Sequence, residues 1–119
     1  MAGIIFLRTA EFEHIVEFYT DRLGMEVWLE QPSITILRHE NLLVGFQDQP
    51  EVRPDNDGLI TFFYPDREQV DRMYALLTDR STTEPKENPR YRIYNFYAED
   101  PEKRRLEFQY FLHELPAWG

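Results

Sequence analysis

The sequence contains no cysteine, which excludes disulfides and thiolate metal sites; any metal ion would need oxygen and nitrogen donors. No apolar run comes near the roughly 20 residues that a helix needs to span a bilayer. The opening "MAGIIFLRTAEFE" has neither the basic start nor the cleavage region of an export signal, so a cytoplasmic location is expected. Positive charge is scarce, with 13 Lys and Arg against 22 Asp and Glu and a formal charge of −9. Such a chain repels phosphate backbones and anionic bilayers, so no nucleic acid or membrane partner is expected. No phosphate-cradling glycine loop, Ser-His-Asp order or paired carboxylates with an identifiable spacing rise above noise.

What is present is one globular domain's worth of material. A chain of 119 residues buries roughly two thirds of the surface its unfolded form exposes, and 42% hydrophobic residues with 15% aromatics supply a core. "IIFLR" (4–8) has strand propensity, and in the following "TAEFEHIVEFYTDRL" the residues Phe12, Ile15, Phe18, Tyr19 and Arg22 or Leu23 recur at helical spacing. Gly24 stands where a helix ends most cheaply in a left-handed conformation. "MEVWLE", "SITILR" and "NLLVGFQ" then read as three strands divided by the turns "QPS" and "HEN". The polar "DQPEVRPDNDG" has no periodicity and reads as a linker.

The pattern then starts again. A shift of 55 positions lays "LITFFYPDREQVDRMYALL" on "IIFLRTAEFEHIVEFYTDR", matching Ile15 with Val70, Phe18 with Met73, Tyr19 with Tyr74 and the cap positions Glu11 with Asp66. Asp66 and Gln69 form a capping-box-like helix start. A shift of 62 lays "LEFQ" (106–109) on "VGFQ" (44–47), the offset having grown across "DRSTTEPKENPRYR". Agreement at strand, cap, helix and last strand indicates a duplication. The expectation is an α+β fold of two tandem β-α-β-β-β modules. Module one covers 3–48, the linker 49–58 and module two 59–113, within one domain of 1–119.

Three stretches carry a family resemblance. "FYTDRLGMEV" (18–27), "FFYPDREQVDRMYALL" (62–77) and "FYAEDPEKRRLEF" (96–108) are similar to signatures of the glyoxalase, bleomycin-resistance and extradiol-dioxygenase superfamily, the vicinal oxygen chelate fold. The family commonly has glycine after the aspartate-proline-acid run, where this chain has Lys103. The resemblance implies mixed sheets that curve round a cleft, and a homodimer. It also implies that metal-dependent relatives draw ligands from the first and last strands of each module, at places matching Ile4, Gly45, Leu59 and Glu107. Only Glu107 can ligate, and His14, His39 and His113 fall in a helix, a hairpin turn and the tail. No metal and no other cofactor is therefore expected.

Strand alternation puts Glu107 with Gln109 and Phe111 on the cleft face, with Leu106 and Phe108 toward the helices. The same rule groups Ile4, Phe6 and Arg8 in the cleft with Ile5 and Leu7 in the core, and groups Leu59 with Thr61 and Phe63. Tyr91, Ile93, Asn95 and Tyr97 are candidates for another wall. The expected ligand-binding set is Phe6, Arg8, Thr61, Phe63, Ile93, Asn95, Glu107, Gln109 and Phe111, around a small organic ligand in an aromatic cleft. A plainer reading pairs Glu107 with Arg8 across the cleft, leaves the aromatics as packing, and leaves Lys103, Arg104 and Arg105 as a solvated turn with His39 and His113 on the surface. The rival function is a glyoxalase-like lyase or isomerase, or a dioxygenase-type enzyme, with Glu107 as metal ligand or general base.

Overall fold

A computed structural model of the chain describes residues 2–51 and 57–117. The chain divides into two compact units, Met1–Asp55 and Asn56–Gly119. Part of the expected linker, 52–56, lies outside the described residues.

The first unit runs β1 (Ile5–Thr9), α1 (Phe12–Glu17), a π-helical turn (Phe18–Arg22), β2 (Glu26–Gln31), β3 (Ile34–His39) and β4 (Leu42–Asp48). Its sheet has the order β1-β4-β3-β2, with β1 parallel to β4 and the other pairs antiparallel. The expected single helix is thus α-helical for only its first part. The wider π turn sets Phe18 and Tyr19 side by side into the core, their rings edge to face at 5.4 Å. Gly24 has φ +75° and ends the segment as expected. Ile15, Tyr19, Leu37, Val44 and Phe46 are fully buried between helix and sheet.

The second unit repeats the plan. β5 (Leu59–Phe63), α2 (Arg67–Leu76), β6 (Lys86–Asn88), β7 (Ile93–Glu99) and β8 (Arg105–Phe111) form a sheet of order β5-β8-β7-β6, with β5 parallel to β8. The short β6 lies inside the stretch that lengthens this module. The Asp66 carboxylate accepts the Gln69 backbone N–H at 2.9 Å, the expected cap. Its counterpart Glu11 makes no side-chain cap; the Thr9 hydroxyl accepts the Glu11 backbone N–H instead. Phe62, Phe96 and Phe108 stack in one layer beneath α2 with Val70 and Leu77.

The duplication is visible in the registers. Phe6 faces Gly45 in the first sheet, and Thr61 faces Glu107 at the matching place in the second. Leu106 and Phe108 are buried as expected, but Ile5 is 59% exposed rather than in the core. β1 is an edge strand, and the short α1 does not cover that end of it.

Candidate functional site

In the second unit, the sheet face opposite α2 collects most of the expected site residues. The registers place Thr61, Glu107 and Tyr97 in one cross-strand row, Phe63, Gln109 and Asn95 in the next, and Phe111 beside Ile93. Seven of the nine expected residues therefore share a face. Phe6 and Arg8 occupy corresponding positions of the first sheet, in the other unit.

Glu107 is 6% exposed, and each of its oxygens takes one hydrogen bond from the same face. The Thr61 hydroxyl donates to Oε1 at 2.9 Å, and the Asn95 amide donates to Oε2 at 2.9 Å. Thr61 sits directly opposite on β5, and Asn95 reaches diagonally from β7. These neutral donors are the carboxylate's partners within its own unit. Two donors leave about half of a carboxylate's acceptor capacity unused, and no ion pair to it is seen among the described residues of its own unit. Nearby, the Phe63, Phe111 and His113 rings stand edge to face at 5.4 and 5.6 Å, forming an aromatic wall.

The turn before β8 is solvated at Lys103 and Arg105, as expected, but not at Arg104. Arg104 is 3% exposed, and its guanidinium donates to Asp100 Oδ2 at 3.0 Å and to Glu102 Oε1 at 2.9 Å. Asp100, fully buried, also accepts the backbone N–H groups of Glu102 and Arg104. Burial lowers the Arg104 pKa, but Asp100, by charge and hydrogen bond, and then Glu102 more than offset it, so the pKa is raised. Lys103 has φ +68°, the left-handed conformation that a glycine would adopt freely. The departure from the family pattern therefore changes the residue and keeps the turn, which delivers β8 and Glu107.

In the first sheet the place matching Glu107 is closed by an aromatic ring. A Cβ built on Gly45 would lie 2.5 Å from Cδ1 and Cε1 of Phe6. With Gly45 covered and Ile4 and Leu59 apolar, the four family ligand places offer one carboxylate. Among the described residues no three His, Asp or Glu side chains gather as a metal-ligand group. These residues do not fit a divalent metal. His39, expected on the surface, ends β3 half-buried, and burial lowers its pKa despite Glu40 at 3.7 Å. His14 is exposed on α1, and His113 follows β8.

A cavity of about 240 Å³ opens beside the Glu107 row, lined by Thr82, Tyr97, Ala98, Glu99 and Arg105. Tyr97, 36% exposed, is the cross-strand neighbour of Glu107. Reading along the sequence missed Thr82, Glu99 and Arg105 as lining residues. The segment at 81–83 adds itself to the edge of β7, with the Thr82 N–H donating to the Tyr97 carbonyl and the Thr83 hydroxyl accepting the Tyr97 N–H. A polar stretch without alternation carries no signal of that pairing.

This two-fold β-α-β-β-β plan, ending in a carboxylate strand, is the architecture expected from the sequence. A model of the Glyoxalase/Bleomycin resistance protein/Dioxygenase superfamily matches residues 3–108, and the chain belongs to that superfamily. Among solved structures it is similar to a glyoxalase/bleomycin resistance protein/dioxygenase family enzyme from Burkholderia phytofirmans PsJN, with TM-score 0.79, 18% identity and coverage of 92% of this chain and 97% of that one. It is also similar to a lactoylglutathione lyase from Agrobacterium tumefaciens, with TM-score 0.73, 18% identity and 92% of each chain covered. An integron cassette protein from a Halifax Harbour sewage outfall metagenome matches with TM-score 0.77, 18% identity and coverage of 93% and 98%. No curated protein matches the sequence. At such identities the likeness extends to the fold alone.

Proposed function

We propose that the chain is a small-molecule-binding member of the superfamily that works without a bound metal, as a cytoplasmic homodimer with neither nucleic acid nor membrane as partner. The ligand lies on the face of the second sheet opposite α2, against Phe63, Ile93 and Phe111, and presents an N–H or O–H donor to Glu107. Gln109 and Asn95 border the same place. One observation carries this reading: Glu107 is held by two neutral donors in its own sheet, with acceptor capacity left over. A sparse polar anchor among apolar walls is the usual make-up of a small-molecule site.

The test is a ligand-observed NMR screen of small organic ammonium, alcohol and aromatic compounds in buffer containing EDTA, with wild-type protein and Glu107→Gln. Glutamine keeps one acceptor and loses the charge, so binding is expected to weaken about tenfold or more. Hits that need an added divalent metal, or that bind the variant equally well, would overturn the proposal.

A further inference from the structure

Glu99 and Arg105 face each other directly across β7 and β8, a position in which opposite charges ordinarily meet. Here they form no ion pair: the Arg105 guanidinium instead donates to the Asp57 carbonyl at 3.3 Å, a long bond. Both residues line the 240 Å³ cavity, together with Tyr97, Ala98 and Thr82. The cavity thus presents one cationic group, one anionic group and an aromatic surface, within a single unit.

We propose that this cavity is a binding site for small zwitterions bearing a carboxylate and an ammonium, the chemistry of a free amino acid. Arg105 takes the carboxylate, for which its planar fork of donors is suited. Glu99 takes the ammonium, and Tyr97 offers its face to an apolar or aromatic side chain. A simple anion would meet repulsion from Glu99 and from a chain of net charge −9. A simple cation would meet Arg105, so only a molecule with both groups satisfies both walls. The volume lies below the 300 to 1,000 Å³ of typical drug-sized sites, which restricts the occupant to a small molecule. The proposal goes beyond the Glu107 reading: neither Arg105 nor Glu99 is bonded to Glu107, so the two can fail separately.

The experiment is a titration of ¹⁵N-labelled protein with L-phenylalanine, N-acetyl-L-phenylalanine and L-phenylalaninamide, followed by amide chemical shifts. Saturable shifts are expected at Thr82, Tyr97, Glu99 and Arg105 with the zwitterion. Each blocked compound, lacking one charge, is expected to bind about tenfold more weakly or worse, as are Arg105→Gln and Glu99→Gln with the zwitterion. Absence of saturable shifts, equal binding of the blocked compounds, or indifference to both substitutions would overturn the assignment.

Discussion

The ring of Phe6 lies over Gly45, at the place in the first sheet that corresponds to Glu107 in the second. A side chain at 45 and the ring cannot both keep their positions. Phe6 is 52% exposed, so the ring is free to give way. Gly45→Ala is expected to cost about 1 kcal/mol through that displacement. In a Phe6→Ala background the same change is expected to be neutral or stabilising, because alanine suits a strand interior better than glycine. A double-mutant cycle by urea denaturation measures the coupling; simple additivity would contradict the contact.

Thr61→Val removes the donor to Glu107 Oε1 and leaves a nearly buried carboxylate oxygen short of a partner. The expected loss is about 1 to 3 kcal/mol, read from the denaturation midpoint. Thr61→Ser keeps the hydroxyl and should recover much of it.

Lys103 holds a conformation that costs an L-residue roughly 1 to 2 kcal/mol, and glycine gives part of that back as lost chain entropy. Lys103→Gly is expected to stabilise the protein by about 0.5 to 1 kcal/mol and to raise its melting temperature. No gain would mean that the lysine side chain contributes contacts of comparable worth.

Arg104 forms an ion pair with the buried Asp100. Arg104→Met preserves much of the apolar stem but removes the ion pair to that buried carboxylate, at an expected cost of about 3 kcal/mol or more. Because the same turn feeds β8, amide shifts along 105–109 should change with it. A loss under 1 kcal/mol would contradict a paired, buried role.

On the helix side, the Tyr94 hydroxyl donates to Asp71, and the Arg67 guanidinium sits 4.6 Å from the Tyr94 ring centroid while pairing with Glu87. The hydrogen bond to Asp71, then burial and the Asp71 charge, push the Tyr94 pKa up to about 12, with Arg67 opposing. A tyrosine that keeps its proton longer folded than unfolded contributes stability below its ordinary pKa of about 10. That contribution is lost as pH rises from about 10 toward about 12. Tyr94→Phe should flatten this part of the stability profile, measured by urea unfolding at stepped alkaline pH.

Much of this architecture was legible along the chain. Alternation set the inward face of β8, so Leu106 and Phe108 fell toward the helix and Glu107 fell opposite, because the side-chain period of a strand is two. The helical spacing of Ile15, Phe18 and Tyr19 and the matched spacing of Val70 and Tyr74 exposed the duplication. Gly24 and Asp66 marked helix ends because left-handed backbone and an unpaired N–H each demand a particular residue. Other features depended on distance along the chain. Which donors satisfy Glu107 was decided by the parallel pairing of β5 with β8 and by a diagonal reach from β7, neither of which local pattern encodes. The same holds for Arg104, whose burial depends on Asp100 and Glu102 folding back around it, and for the cavity beside Tyr97, formed by a polar segment joining a sheet edge. The sequence by itself determined periodicity, caps and the faces of strands, since these are local and steric. Only tertiary structure decided which polar groups meet, since a buried charge takes its partners from whatever strand the register brings alongside.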